Sequence, residues 1–214
     1  MKILVTGFEP FEGNRRNASL EGIKLLPDYM GDTKIVKARI PTAFKAARQR
    51  IEALLEQEKP DRVISVGLAG GDSFISVEKA ALNLIEARIL DNDGEQPFDT
   101  PVREDGENAY FVPLPVKRIA QAIRQRGIPA KVSYSAGTFV CNFLLYDLLY
   151  LAQKKYPEMK CGFLHVPYDE ETAGQMQEEV PCLAIEQIKE GILTALEVLI
   201  NQEEELQQPA GSIF

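Results

Sequence analysis

Lys34-Ile35-Val36-Lys37-Ala38-Arg39-Ile40 is a short run bearing Ile and Val, and Arg62-Val63-Ile64-Ser65-Val66 is another. Between them Ala43–Glu58 carries apolar residues at helical spacing. The outer runs read as strands and the middle segment as an amphipathic helix that covers them. Strand, crossover helix and strand form the unit from which parallel sheets are built. Working outward, the alternation continues in both directions. Lys2–Thr6, Lys131–Ser135 and Cys161–Val166 are further strands; Ser19–Leu26, Val116–Arg126 and Ile185–Ile200 are further helices. Ser19 is the expected N-cap of its helix and Gly127 the expected stop signal of another. The pattern predicts a single-domain, three-layer α/β/α protein over residues 1–214, with a mainly parallel central sheet. The acidic stretch from Gln202 to Phe214 reads as a mobile tail or a partner-contacting arm.

Asp72 to Pro115 breaks the alternation, being long, poor in helical period and dense in turn residues. Ile75–Leu84 fits a strand, and Ile89-Leu90-Asp91-Asn92-Asp93-Gly94 ends in a strong turn signal. Long irregular segments in compact domains are usually functional or disordered. The apolar alternation embedded here predicts an ordered excursion over the sheet edge.

With 214 residues the chain is large enough for one substantial core, and its 45% hydrophobic and 26% charged content is that of a water-soluble globular protein. A net charge of −8 argues against binding a phosphate backbone, which needs clustered Lys and Arg. The apolar stretch after Met1 is too short for a signal peptide, and no run approaches the ~20 residues of a membrane span. Three cysteines without a C-x-x-C spacing indicate neither a disulfide framework nor a zinc site. A reducing cytoplasm is the expected compartment, with no metal, cofactor, nucleic acid or membrane as partner.

Chemistry concentrates at Ser135-Ala136-Gly137-Thr138-Phe139-Val140-Cys141-Asn142, a turn of small residues that delivers a thiol to the start of the apolar run Phe143–Leu151. A helix N-terminus presents unpaired N–H groups and partial positive charge, which favours a thiolate. Free cysteine is more often inert packing, and a lone histidine in an apolar strand is more often a satisfied core residue. The pair changes the balance, because His165 is the one histidine in the chain and nucleophilic catalysis needs a base within reach. That base needs an orienting group. Glu78, set among apolar neighbours, is the candidate, against the plainer reading of a surface glutamate paired with Lys79. Arg88 is a candidate for positive charge near the thiolate or the developing oxyanion; a structural salt bridge fits it equally. Gly7-Phe8-Glu9-Pro10-Phe11 follows the first strand, where ligand crevices form in such sheets. Its two phenylalanines either wall a pocket for a flat, uncharged group or pack under the excursion. The turn Gly67-Leu68-Ala69-Gly70-Gly71-Asp72 is weak as a phosphate cradle, lacking lysine and carrying an acid.

Three blocks together resemble pyroglutamyl peptidase type I (pyrrolidone-carboxylate peptidase), a cytoplasmic family of cysteine peptidases. They are Leu4-Val5-Thr6-Gly7-Phe8-Glu9-Pro10-Phe11, Ala87-Arg88-Ile89 through Asp91-Asn92, and Ala136-Gly137-Thr138-Phe139-Val140-Cys141-Asn142. The resemblance runs from residue 2 to about residue 168. It implies a phosphorylase/hydrolase-like α/β fold and a catalytic Glu78, Cys141 and His165. It further implies a pyroglutamyl pocket of Phe8, Phe11, Thr42, Ile89, Phe139 and Val140, peptide substrates with N-terminal pyroglutamate, and a homotetramer. The chain departs from the family pattern at Glu12, Ala18, Leu68, Ser76, Val77, Lys79 and Leu90, and at Asp72 where an arginine is typical. None of these removes a member of the implied triad, but Leu68 and Asp72 alter the turn beside the pocket. Two other classes fit parts of the sequence: a nucleoside phosphorylase-like enzyme, which would need a phosphate grip, and a non-catalytic oligomeric binding homologue.

Overall fold

A computed structural model describes residues 1–211 of the chain. In order, its elements are β1 (Lys2–Phe8), α1 (Ala18–Lys24), β2 (Tyr29–Met30), β3 (Thr33–Ile40), α2 (Phe44–Glu58), β4 (Arg62–Leu68), β5 (Ile75–Glu78) and β6 (Ala80–Leu82). There follow β7 (Ala109–Phe111), α3 (Val116–Gln125), β8 (Ala130–Ser133), α4 (Val140–Lys154), β9 (Lys160–Val166), β10 (Tyr168–Asp169), α5 (Glu170–Ala173), β11 (Cys182–Leu183) and α6 (Ile185–Ile200). The strands rich in Ile and Val form where the sequence places them. β1, β4 and β9 are buried along nearly their whole length, as a sheet covered on both faces requires.

The main sheet has the order β2-β3-β1-β4-β9-β5-β8. β3, β1, β4 and β9 are mutually parallel, whereas β5 pairs antiparallel with β9 and parallel with β8. The reversal has a simple cause. Residues 69–74 join β4 to β5, and a link that short cannot make the crossover a parallel return needs. α1, α6 and α3 pack side by side on one face, and α2 and α4 pair on the other. This is a mainly parallel, three-layer α/β/α arrangement around one cluster of buried apolar side chains.

Three local expectations are corrected. The N-cap of α1 is Asn17, whose Oδ1 accepts from Ser19 N at 3.0 Å. Ser19 is buried in the first turn instead, and its Oγ accepts from Phe8 N at 3.1 Å, fastening the end of β1 to the helix. The stretch Ile75–Leu84 is two strands rather than one. At Lys79 the chain changes sheets: its N–H donates to Ser133 O at 2.7 Å, and its carbonyl accepts from Val112 N at 2.9 Å. β6 then pairs with β7 in a separate two-stranded sheet.

The excursion is ordered, but it lies against α4 and α2 rather than over the sheet edge. Asn142, fully buried in α4, accepts from Leu82 N at 2.9 Å and donates to the carbonyls of Leu82 and Leu84 at 2.9 and 3.1 Å. One turn further on, Asp147 is fully buried and takes Arg48 Nε of α2 at 3.2 Å and Arg103 Nε of the excursion at 2.5 Å. A buried carboxylate is tolerable only with such partners. Asp91 accepts from Phe44 N at 3.0 Å, capping α2 from a distant part of the chain. Residues 203–208 lie along the start of α3, where Glu205 Oε1 accepts from Lys117 N and Arg118 N, both at 3.1 Å. The last three residues of the expected tail, 212–214, fall outside the described residues.

Candidate active site

Cys141 is the second residue of α4 and half-buried. The turn before it is held from two directions. Gly137 adopts φ +76°, which only glycine takes without strain, and Thr138 Oγ1 donates to Glu86 O at 2.9 Å. No side chain caps α4, so the N–H groups of its first turn have no side-chain partner beside the thiol.

Beneath the thiol lies the end of β4. A Cβ placed on Gly67 would stand 2.7 Å from Cys141 Sγ and 2.8 Å from the Phe163 ring, closer than real Cβ atoms come. Glycine there lets the sulfur rest on the strand. The parallel register of β4 and β9 sets His165 opposite Gly67, bringing the imidazole to the same spot. Glu78, at the end of β5, arrives from the strand on the other side of β9.

His165 Nδ1 lies 2.8 Å from Glu78 Oε1, and both side chains are buried, 8% and 1% exposed. With Nδ1 committed to the carboxylate, Nε2 is the nitrogen left for Cys141. Burial alone would drive a proton off this imidazole, but charge and hydrogen bonding from Cys141 and Glu78 outweigh it and raise its pKa to about 10. The arrangement favours the charged imidazolium, set between the thiol and the carboxylate. The plainer reading of Glu78 fails: Lys79 Nζ turns away and donates to Val112 O at 3.2 Å.

The cavity over this cluster encloses about 440 Å³. Because β1 and β3 flank β4 and β9 on one side, and β5 and β8 on the other, the cavity has two unlike halves. One is apolar, with Phe8, Phe11, Thr42, Phe139 and Val140; the other is polar, with Asp72, Ser76, Lys131, Ser133 and Ser135. Phe11 and Phe139 face each other with ring centroids 6.5 Å apart, and Phe44 braces Phe139 edge-on at 5.4 Å. Phe8 is 2% exposed and also packs on Phe163 at 6.2 Å, so it belongs to wall and core together. Thr42 Oγ1 is committed to Glu9 O at 2.8 Å.

Two of the residues named from sequence do not join the cavity wall. Arg88 is exposed, and no hydrogen bond or ion pair of its guanidinium is found among the described residues. Ile89 is half-buried in the excursion, away from the wall. The polar half was largely missed from sequence; Asp72 was noticed only as a departure in a turn, and the β8 residues carried no motif at all. Of the other cysteines, Cys161 is fully buried and its thiol is pushed up to about 12 by burial. Cys182 is exposed in the short strand β11.

Residues 1–202 match the family described as pyroglutamyl peptidase. A pyrrolidone-carboxylate peptidase of Clostridium botulinum is 44% identical over 213 residues, covering 100% of both chains. Among solved structures, the pyroglutamyl peptidase I of Bacillus amyloliquefaciens superposes with a TM-score of 0.92 at 39% identity, over 96% of this chain and 99% of that one. A pyrrolidone carboxyl peptidase from Thermococcus litoralis gives 0.90 at 36% identity, over 97% and 99%.

Proposed function

The chain belongs to the pyroglutamyl peptidase family of cysteine peptidases, which remove N-terminal pyroglutamate from peptides, and we propose that it does so with Cys141, His165 and Glu78. The observation that carries the reading is the 2.8 Å contact between buried Glu78 and His165, with the helix-start thiol as the imidazole's other neighbour. Thiolate Cys141 attacks the carbonyl that joins pyroglutamate to the next residue. The oxyanion that forms faces the N–H groups at the start of α4, which take the role first considered for Arg88. His165 gives its Nε2 proton to the departing amine as the C–N bond breaks, leaving a thioester on Cys141. The now neutral imidazole takes a proton from water, whose oxygen attacks the thioester and frees pyroglutamate. Glu78 holds the ring in the tautomer both steps need and stabilises its charged form.

The apolar half of the cavity suits the substrate. A pyroglutamyl ring has no ammonium for an acidic anchor to grip; it offers a flat, neutral lactam, which aromatic walls accept without stranding a charge. A phosphorylase reading would need a cluster of cations over the glycine turn, whereas Lys131 is the single Lys or Arg among the described residues that line the cavity. Leu90, Phe98 and Phe111 are exposed apolar side chains of the kind that subunit contacts bury, which supports a homotetramer. The three free thiols suit a reducing cytoplasm, and no helix among the described residues is long and apolar enough to cross a membrane.

The direct test is hydrolysis of a pyroglutamyl aminocoumarin amide beside the matching prolyl amide, whose ring carries a charged amine in place of the lactam. Turnover of the first alone, abolished by iodoacetamide, is the expected result; equal turnover of both would overturn the assignment of the pocket. Within the pocket, Phe11→Ala should raise KM several-fold with little change in kcat, since the ring contacts ground and transition states alike. Phe8→Ala should in addition lower the melting temperature, because its ring is part of the core and truncating a buried Phe costs about 3–5 kcal/mol. An unchanged KM in Phe11→Ala would make that residue mere packing.

A further inference from the structure

The polar half of the cavity plays no part in the acyl transfer described above. With the pyroglutamyl ring against the phenylalanines on the β1 side, the rest of the peptide leaves the reacting carbonyl in the opposite direction, along Asp72, Ser76, Lys131, Ser133 and Ser135. Lys131 Nζ lies 2.7 Å from Asp72 Oδ2 and 5.2 Å from the centroid of the Phe74 ring. An ammonium has three donors. One goes to the carboxylate and one side of the group rests on the aromatic face, which leaves donor capacity open toward the cavity. The side chain is 46% exposed, so a ligand can reach it.

Asp72 is placed differently. Its oxygens accept from Ser73 N at 2.8 Å, from Ser76 Oγ at 3.4 Å and from Lys131, and its side chain is 24% exposed. Its lone pairs are largely used within the protein. The pair thus offers incoming groups a charged donor and little acceptor. In a chain of net charge −8, the long-range field repels anions, so an anionic substrate needs a local cation to be held here.

We propose that Lys131, held in place by Asp72 and Phe74, recognises a carboxylate on the residue that follows pyroglutamate. The carboxylate is either the free C-terminus of a pyroglutamyl dipeptide or an acidic side chain. This rests on the peptidase reading above, and the experiment separates the two. The ratio kcat/KM is measured for pyroglutamyl-alanine against its C-terminal amide, and for pyroglutamyl-glutamic acid amide against pyroglutamyl-glutamine amide. The first pair reads the terminus, the second the side chain. Wild-type enzyme should favour the carboxylate in at least one pair by about three- to five-fold, mainly through KM and less so at high salt. Lys131→Gln should abolish the preference. Asp72→Asn, which removes the competing anion, should enlarge it, and this arm holds even if Lys131→Gln folds poorly. Equal rates within both pairs, a preference that survives Lys131→Gln, or one that shrinks in Asp72→Asn would overturn the proposal. Wild-type enzyme inactive on every pyroglutamyl substrate, the neutral amides included, would instead overturn the peptidase reading.

Discussion

Cys141→Ala loses at least ~10³-fold in kcat/KM while keeping its fold, because nothing else in the cavity can form the acyl intermediate. The side chain is half-buried at a helix start, where alanine is well tolerated, so the melting temperature should stay within a few degrees of wild type. Chemical modification gives the same information if the other thiols are handled correctly. Cys161 is sealed in β9 and inert, but Cys182 is exposed and will also be alkylated. The informative protein is therefore Cys182→Ser, in which iodoacetamide should label Cys141 alone and inactivation should track that label in a mass spectrum. Activity surviving stoichiometric modification of Cys141 would remove the nucleophile from the mechanism.

Glu78→Gln should lower kcat and kcat/KM together by roughly 100-fold, about 2.7 kcal/mol of transition-state stabilisation. The amide keeps the volume but loses the charge that supports imidazolium, and it can hold the ring in the wrong tautomer. The pH profile carries a separate sign. Burial lowers the His165 pKa, while Cys141 and Glu78 raise it to about 10. Removing the glutamate charge takes away one of the two raising partners, so the alkaline limb of the rate profile should move to lower pH in the variant. Stability follows the same linkage. A folded-state pKa above the unfolded ~6.5 gives a contribution present in full below pH ~6.5 and lost as pH rises toward 10. The excess stability of wild type over Glu78→Gln should accordingly shrink across that window. Lys79→Gln, which alters only a side chain bonded to Val112 O, is the control. Turnover near normal in Glu78→Gln would leave a Cys–His dyad.

The parallel core of the sheet was legible because β1, β4 and β9 are short, almost wholly buried apolar runs and β3 alternates buried with exposed residues, and periodicity reports burial directly. Strand direction is another matter. Nothing in Ile75-Ser76-Val77-Glu78 says that it runs against β9; only the short link before it does. The break at Lys79 was invisible for a related reason, since a strand that changes sheets keeps its local pattern and alters only its partners. Asp147 lay hidden in the apolar run Phe143–Leu151, its partners Arg48 and Arg103 being set by tertiary contact alone. At the candidate site, the thiol, the imidazole and the carboxylate each stood out as a chemical group in the wrong company. The polar half of the cavity did not, because serines and a lysine on an edge strand are ordinary surface composition.

The carboxylate and the imidazole that meet in the cavity are 87 residues apart in the chain. β5, which carries the glutamate, lies between β9 and β8, and both of those strands come later in the sequence. A nascent chain emerging from the ribosome therefore exposes β5 with both edges bare, and it cannot finish the sheet until residue 166 has been made. Such non-local pairing is slow, and an apolar strand waiting for partners is prone to wrong ones. Peptidase activity is for that reason a late marker of maturation: turnover should appear only after the last strand of the main sheet, β9, has been seated between β4 and β5.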